Sequence, residues 1–522
     1  MSAASPLVMA IDLGTGSCRA ALFDESGSQV AIGQREYAHA PAPGVPGSQV
    51  FDTTAVWSLV VQCIRDALAA AGRPAAAVAA VAATSMREGM VLYDSGGTEL
   101  WACPNVDSRA SEEATELVRS GAARRIFDLA GDWVAITAPA RFRWIASHEP
   151  EILAATAHVG MLGDWVATKL TGEFTTDPSL GSSSGLFDLG KRSWSEEILD
   201  LCGLDASVFP PVLEPGTVLG AVTTRSAEET GLDVGTPVVV GGADTQLALA
   251  ALGVHRPGRF TIVGGSFWQQ TLVADEPLID PAGRLRTLCH TVPERWMVEG
   301  IGFYSGMVMR WFRDGFCELE KEEARRHGLD PYELLEEKAR LVPLGSGGLV
   351  GIFSDVMQAN RWRHASPSFI GFDVASPARS GRMACYRAIE ESAAYVSLGH
   401  LRILQELTRR QIDEAIFTGG AAKGSLWPQI VADVLGVAVH IPVVKESTAL
   451  GAALYAGVGA GLWEDACGKA ERVVRFDRTF EPSAAAHEQY LELFERWTQV
   501  YRHELELVDS GLVNPLWRAA GA

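Results

Sequence analysis

The chain is short of positive charge. Its 522 residues include 44 lysines and arginines against 64 aspartates and glutamates, which gives a formal net charge of −20. A nucleic-acid backbone or an anionic membrane surface is bound by a basic face, and no long basic run occurs in the chain. We therefore expect neither a nucleic-acid partner nor a membrane partner.

Long uninterrupted apolar runs are missing as well. The alanine-rich residues 67–83 come nearest to one, but Arg73 and Pro74 interrupt them and alanine is only weakly apolar. The pattern predicts a helix that ends near Gly72, followed by a buried strand. It does not predict a membrane span.

Closely spaced cysteines and a secretion signal are also lacking. The eight cysteines are scattered, and no Cys-x-x-Cys pair or Cys/His cluster has the spacing of a zinc site. In a chain of this size such cysteines are typical of reduced core thiols. Residues 1–9 have neither a basic start nor a long apolar core. These features predict a cytoplasmic protein.

The chain has no P-loop of the form G-x-x-x-x-G-K-[ST]. It has a different glycine turn near its start, where an apolar run ends in Asp12 and is followed by Gly14, Thr15, Gly16 and Ser17. Glycines let backbone N–H groups converge on an anion, and an acid at the strand end can hold water or Mg²⁺ beside a phosphate. The turn suggests ATP chemistry, although taken alone it could equally be structural.

The length and the pattern of elements indicate two α/β domains. A chain of 522 residues is too long for one core, and strands alternate with helices from the start. A strand ending in glycines and an acid recurs at residues 236–244. We expect domains of residues 1–245 and 246–522, with the last ~40 residues able to pack back on the second domain.

Two further glycine loops follow apolar strands. Residues 259–266 end in Gly264-Gly265-Ser266, and residues 414–424 contain Gly419-Gly420-Ala421 before an apolar helix at 426–435. Ligands of open α/β sheets bind outside the carboxyl ends of the strands. The loops and the acids at two strand ends predict a nucleotide site in a cleft between the domains.

The three loops resemble the phosphate-1, phosphate-2 and adenosine motifs of the actin-like ATPase superfamily. The whole chain resembles the FGGY carbohydrate kinases, which include glycerol kinase, xylulokinase and gluconokinase. The landmarks that carry the resemblance, in family order, are residues 170–173, 176–179, 241–244, 419–427, 432–436 and 446–452. The resemblance implies two actin-like, ribonuclease H-like ATPase domains with a cleft between them. It also implies ATP-dependent phosphorylation of a small polyol or ketose such as glycerol, a pentulose or gluconate.

Several stretches are not general family motifs and resemble one particular member of the family. They are residues 85–89, 101–107, 267–270, 309–314, 352–355, 441–446 and 507–512. They favour the activity of that member over that of a general sugar or polyol kinase.

The resemblance gives roles to the acids and the loops. Asp244 would act as the general base that takes the proton of the acceptor hydroxyl, and Asp12 would position Mg²⁺, with both carboxylates as candidate metal ligands. ATP is the expected donor. The expected ATP-binding residues are Gly14, Thr15, Gly16, Ser17, Arg19, Gly264, Gly265, Ser266, Gly419, Gly420 and Ala421.

The expected substrate contacts depend on the same resemblance. Arg87 and Glu88 match the pair with which glycerol kinase-like members hold polyol hydroxyls; the alternative is a solvated loop ion pair. Trp268 could instead be a core residue. The full set of candidates is Arg87, Glu88, Asp107, Gln246 and Trp268, with Arg109 as a weaker addition.

The chain departs from the family pattern at two points. Gly265 stands where many members have threonine, so a hydroxyl at the transferred phosphate is absent or supplied by Ser266. Arg141 stands where the common signature has lysine.

Two functions of other classes remain as alternatives. An actin-like ATP-driven clamp would leave Arg87 and Glu88 unexplained, and a regulator that binds a small molecule without phosphorylating it would not need both Asp12 and Asp244. A homodimer and a regulatory partner are left open.

Overall fold

The computed structural model describes residues 5–355, 363–376, 379–444 and 446–517. Two large mixed sheets, each covered by helices, form its framework. The predicted α/β class is therefore confirmed. Two strand pairs and a three-stranded sheet complete the strands: Val350–Ile352 with Ser368–Ile370, Phe187–Asp188 with Ser193–Trp194, and Glu99–Cys103, Met90–Tyr93 and His158–Met161.

The first sheet has six strands and is built on the N-terminal hairpin. Its strands in spatial order are Val218–Ala221, Pro237–Ala243, Val78–Ser85, Leu7–Leu13, Ser17–Asp24 and Gln29–Glu36. The last three are antiparallel neighbours, whereas Leu7–Leu13, Val78–Ser85 and Pro237–Ala243 are parallel. The parallel strands thus bring Asp12, Ser85 and Ala243 to one edge of the sheet.

The second sheet has seven strands, and the arrangement around its central strand Arg259–Gly264 repeats that around Leu7–Leu13 in the first sheet. Its strands in spatial order are Arg286–Cys289, Trp296–Gly302, Trp268–Ala274, Arg259–Gly264, Glu414–Thr418, Ala438–Pro442 and Phe476–Phe480. As in the first sheet, a central strand has an antiparallel hairpin partner on one side and a parallel strand on the other. The restart of the pattern along the sequence therefore corresponds to a repeated sheet.

Helices flank both sheets. Those before residue 244 are Thr53–Ala71, Ser111–Arg119, Ala122–Ala130, Ala138–His148, Pro150–Ala155, Leu162–Thr171, Pro178–Ser183, Glu196–Cys202 and Thr224–Thr230. The later ones are Asp244–Ala251, Ser305–Phe316, Glu318–His327, Pro331–Ala339, Arg382–Thr408, Leu426–Leu435, Ser447–Gly459, Ala466–Val473 and Ala484–Asp509.

The first long helix shows how local sequence determines an element. Asp52 accepts a hydrogen bond from Ala55 N at the helix start, and Gly72 in the left-handed region ends the helix. The helix Thr53–Ala71 is, by length and composition, the one helix in the described ranges that could cross a membrane. Its buried residues, which include Trp57 and Ile64, pack in the core of the first sheet.

Two helices pack together on the first sheet, and one of them, Asp244–Ala251, also packs through Leu249 with apolar residues of the second sheet. Ser447–Gly459 packs on Asp244–Ala251 and on the strands Leu7–Leu13 and Val78–Ser85 of the first sheet. The close approach of the two helices needs glycine at position 451, because a Cβ there would overlap the carbonyl oxygen of Leu247.

The boundary between the two expected domains, after residue 245, stays a prediction.

The C-terminal helix Ala484–Asp509 packs against Leu426–Leu435 and Arg382–Thr408. Its buried face carries aromatic residues, among them Tyr490 and Trp497. The tail thus contributes side chains to the core of the second half.

Candidate active site

Asp12 lies at the end of a buried strand, beside an exposed glycine turn. Gly14 N donates to Ser17 O at 2.9 Å and closes the turn, while Thr15 and Gly16 are exposed to solvent. An exposed turn of this kind offers backbone N–H groups to an anion.

The Asp12 carboxylate is surrounded by charge. Burial raises the pKa of Asp12 to about 7; Arg19, with Nε 3.5 Å from Oδ2, opposes this shift, and the acids Asp244 and Glu446 add to it. Arg19 also pairs with Glu446. Three carboxylates, those of Asp12, Asp244 and Glu446, therefore lie together against the guanidiniums of Arg19 and, beside Asp244, Arg87, and this excess of acid favours the binding of a cation.

Asp244 is the first residue of the helix Asp244–Ala251 and directly follows a parallel strand of the first sheet. Its Oδ1 accepts hydrogen bonds from Thr245 N (2.6 Å) and Thr245 Oγ1 (3.1 Å). The side chain is 32% exposed, so it is reachable from the cleft. Burial of its surroundings raises the pKa of Asp244, and the nearby Arg87 opposes that shift.

The backbone before Asp244 is held by the start of the helix Pro178–Ser183, whose N-cap is Asp177. Ser179 Oγ accepts a hydrogen bond from Ala243 N at 2.9 Å and donates one to Asp177. Gly242 allows this contact, because an added Cβ would lie 2.9 Å from Ser179 Oγ. Asp177 and Ser179 thus fix the position from which Asp244 projects.

A buried ionic network lies next to Asp244. Glu299 Oε2 accepts from Arg87 Nη1 at 2.9 Å and from Arg286 Nε at 2.6 Å. Arg286 Nη1 also reaches Glu88 Oε1 at 2.8 Å and Asp132 Oδ2 at 3.3 Å. Burial alone would raise the pKa of Glu299, but the two guanidiniums hold it below its usual range. All five side chains are buried.

A cavity of about 510 Å³ lies in the second half. The predicted phosphate-2 and adenosine loops line it together, with helices on the opposite wall. The lining residues are Gly264, Gly265, Ser266, Gly306, Met309, Arg310, Asp330, Tyr332, Glu333, Glu336, Tyr386, Gly420, Ala421, Lys423, Gly424 and Trp427. Its mixed aromatic and polar wall suits a flat heterocycle attached to a polar chain.

Glycines make this cavity possible. Gly419 has φ +92°, and a Cβ there would lie 2.7 Å from the carbonyl oxygen of Gly264. A Cβ at Gly306 would overlap the carbonyl oxygen of Gly265. The two loops and the start of the helix Ser305–Phe316 therefore meet backbone to backbone.

Comparison with known proteins decides the family. The model of the FGGY family of carbohydrate kinases, N-terminal domain, matches residues 7–253, and that of the C-terminal domain matches residues 267–460. The chain belongs to the FGGY family of carbohydrate kinases. Membership of this family implies that ATP is used as phosphoryl donor.

Curated relatives match over nearly the whole length. An autoinducer-2 kinase of Yersinia pestis is 46% identical over 98% of this chain and 97% of its own. One of Salmonella typhimurium is 45% identical over 98% and 97%. The prediction of an FGGY kinase most similar to one particular member is confirmed.

Solved structures agree on the fold. The xylulose kinase of Rhodospirillum rubrum superposes with a TM-score of 0.84 at 26% identity, over 95% of this chain and 98% of its own. The xylulose kinase of Lactobacillus acidophilus gives 0.85 at 19% identity, over 95% and 98%. The predicted fold class is confirmed by these sugar kinases.

Three predicted substrate residues of this FGGY kinase have protein partners. Asp107 is buried and paired with Arg109 Nε at 2.9 Å. Gln246 is fully buried and donates to Cys289 O at 3.2 Å. Trp268 is fully buried between Phe417 and Trp427, with ring centroids 5.1 and 4.9 Å away. Their contacts with substrate stay predictions.

Arg141, which departs from the family signature, holds the backbone at Glu88 and at residues 104–107. It is buried and donates to the backbone oxygens of Glu88, Pro104 (3.1 Å) and Asp107 (3.2 Å). The planar guanidinium of arginine carries several N–H donors and can reach three separate carbonyl oxygens, which the compact ammonium of lysine does less well.

The carboxylates present fit a magnesium ion bound with phosphate. No group of three or more His, Cys, Asp or Glu side chains is placed to hold a metal within the described part of the chain. Mg²⁺ nevertheless takes one or two carboxylates together with water and phosphate oxygens. Asp12 and Asp244, which lie close enough for the charge of Asp244 to raise the pKa of Asp12, supply that number.

Sequence reasoning missed several residues of this site. They are Asp132, Arg286 and Glu299, together with Asp177, Ser179 and Glu446, which had only been noted within the stretches that carry the family resemblance. Glu299 interrupts the otherwise apolar strand Trp296–Gly302, and Arg286 opens the buried strand Arg286–Cys289. Charged residues within buried strands were the available signal, since such residues are rarely buried without a partner.

Proposed function

We propose that the chain transfers the γ-phosphoryl group of ATP to the primary hydroxyl of autoinducer-2 in its open-chain form, 4,5-dihydroxypentane-2,3-dione. The product would be phospho-autoinducer-2. The observation that carries the proposal is identity of 46% over 98% of the chain to an autoinducer-2 kinase. The alternative is another small polyol or ketose as acceptor, as in the wider family.

ATP is expected to bind across both halves. The adenosine would occupy the cavity of the second half, against Gly420 and Ala421. The phosphates would extend along Gly264–Ser266 toward the turn of residues 14–17. Backbone N–H groups at such turns bind phosphate oxygens without bulky side chains in the way.

Asp244 is expected to act as the base. It takes the proton of the acceptor hydroxyl as that oxygen bonds to the γ-phosphorus, and the bond to the β–γ bridging oxygen breaks to release ADP. Its position at a strand exit and its partial exposure support this role.

Asp12 and Asp244 are the residues that would hold Mg²⁺. The ion would neutralise phosphate charge during transfer. Arg19, which lies beside Asp12, would remain to orient the phosphate-1 turn.

Arg87 is expected to bind the acceptor. Its Nε lies 3.9 Å from Asp244 Oδ1, so its guanidinium borders the place where the hydroxyl must lie. The proposed acceptor has two adjacent carbonyl oxygens, and a guanidinium offers several N–H donors in one plane.

We further infer that the reaction takes place in the cytoplasm on a freely diffusing small molecule. The eight cysteines are free in the structure, which fits a reducing compartment.

An acceptor panel tests the proposal. ADP formation is measured with dihydroxypentanedione, glycerol, xylulose, ribulose and gluconate, each at several concentrations. We expect the highest kcat/KM for dihydroxypentanedione. A higher value for any other acceptor would replace the proposed substrate, and ATP turnover that no acceptor stimulates would contradict a kinase role.

A further inference from the structure

We infer that Glu299 is a positioning residue for the acceptor, acting through Arg87 from the opposite half of the molecule. The inference rests on the proposed function in taking Arg87 as an acceptor-binding residue. Arg87 follows a strand of the first sheet, whereas Glu299 lies within a strand of the second. The group that binds the substrate is therefore oriented by the other half.

Glu299, and not Asp244, is the carboxylate that binds the Arg87 guanidinium directly. Arg87 Nη1 donates to Glu299 Oε2 at 2.9 Å, while the nearest approach to Asp244 is 3.9 Å. Glu299 is itself fully buried. A buried carboxylate binds a guanidinium at hydrogen-bond distance more tightly than a partly exposed one at a longer distance.

Arg286 fixes Glu299 in turn. The two residues are direct cross-strand neighbours in the second sheet, and Arg286 Nε lies 2.6 Å from Glu299 Oε2. Arg286 Nη1 extends to Glu88 and Asp132, which belong to the first half. Glu299 is thus bound on one side to its own sheet and on the other to the opposite half.

Loss of the Glu299 charge has a specific consequence. Two carboxylates besides Glu299 attract Arg87, and one of them, Glu88, is already paired with Arg286; this leaves Asp244, at 3.9 Å in the present arrangement. A guanidinium freed from Glu299 moves onto that carboxylate, because unlike charges attract strongly where solvent is scarce. It would then occupy the space of the acceptor hydroxyl. Glu299 therefore keeps Arg87 beside the acceptor position and off the base.

The test compares Glu299→Gln, which keeps the shape and removes the charge, with the unmodified protein. We expect KM for dihydroxypentanedione to rise about tenfold to a hundredfold while KM for ATP stays within about twofold. Glu299→Asp, which keeps the charge but shortens the side chain, should give an intermediate KM. Glu414→Gln is the matched control: Glu414 pairs with Arg259 in the same sheet, at the strand end opposite the glycine loop, and should change neither constant.

A double-mutant cycle separates positioning from mere stability. If Glu299 acts through Arg87, adding Glu299→Gln to Arg87→Ala should change the acceptor KM by less than about twofold beyond Arg87→Ala alone. Independent, multiplying effects would overturn the inference. An unchanged acceptor KM in Glu299→Gln, or an equal rise in KM for ATP, would overturn it as well.

Separate controls distinguish misfolding of a variant from a wrong choice of substrate. If circular dichroism shows that Glu299→Gln does not fold, Glu299→Asp carries the test, and an unchanged acceptor KM in that variant rejects the inference. If the unmodified protein prefers another acceptor of the panel, the proposed substrate fails, and the same variants are measured with the preferred acceptor. The two failures are therefore distinguishable.

Discussion

The guanidinium of Arg19 pairs with the carboxylate of Glu446, which lies 427 positions further along the chain. Arg19 follows the exposed glycine turn of the first half, and Glu446 precedes the helix Ser447–Gly459 of the second. The same guanidinium approaches Asp12 to 3.5 Å. Glu446 therefore holds Arg19 between two acids and ties the turn to the opposite half.

Replacement of Glu446 by glutamine should weaken ATP binding. Without the second carboxylate, Arg19 is drawn onto Asp12 and away from the phosphate-1 turn. We expect KM for ATP to rise about threefold to tenfold with little change in the acceptor KM, measured by coupled ADP formation. An unchanged KM for ATP would show that Glu446 does not position Arg19 for ATP binding.

Asp244→Asn should abolish phosphoryl transfer and leave ATP binding intact. The amide keeps the shape of the side chain but cannot take the hydroxyl proton, and loss of a general base lowers kcat by about 10²–10⁴-fold. The measurements are kcat for the preferred acceptor and ATP affinity by calorimetry. Asp275→Asn, at an exposed aspartate paired with Arg410, is the control. Near-normal turnover in Asp244→Asn would assign the base to another group.

The elements around the glycine loops were predictable because their signals are local. The expected strand at residues 236–244 is found as Pro237–Ala243, with Asp244 opening the next helix, and the expected helix at 426–435 is found as Leu426–Leu435. The spacing of apolar residues and the glycines at strand ends indicate these elements from a few neighbouring residues. The two acids at strand ends followed from the same signals.

The ionic network was not predictable in this way. Arg87 and Glu299 are 212 positions apart, and their contact depends on the packing of two sheets and on the register that places Arg286 opposite Glu299. No local pattern specifies such a contact. The burial of single residues could not be predicted from local sequence either. Trp268 lies in the core of the second half, although its neighbour in sequence, Phe267, is only partly buried.

Gly420→Ala should impair ATP binding without affecting stability. A Cβ at Gly420 meets no atom within 4 Å, so the protein accommodates it, but it would project where adenosine is expected to lie. We expect an unchanged melting temperature and a rise of about fivefold or more in KM for ATP. The comparison is thermal unfolding with and without ATP, alongside initial rates.

Two glycines of the helix Ser305–Phe316 serve as controls for that result. Gly315→Ala, where an added Cβ also meets nothing, should change neither stability nor KM. Gly306→Ala should lower stability, because its Cβ would overlap the Gly265 carbonyl oxygen. An unchanged KM for ATP in Gly420→Ala would show that adenosine does not contact this loop.

His290 should make the protein sensitive to acid. It is fully buried, and burial, assisted by the charge of Arg192, lowers its pKa to about 3. In the unfolded chain the pKa is near 6.5, so the unfolded state binds more protons between pH 6.5 and pH 3. Stability is therefore fully present above about pH 6.5 and falls with decreasing pH, by up to about 1.4 kcal/mol per unit for this group.

His290→Gln should flatten this dependence, because glutamine binds no proton in either state. The measurement is the free energy of unfolding in urea from pH 7 down to pH 5 for both proteins. His503→Gln, at an exposed histidine, should leave the slope unchanged. If the slope of His290→Gln equals that of the unmodified protein, His290 is protonated in the folded state and its burial does not govern acid stability.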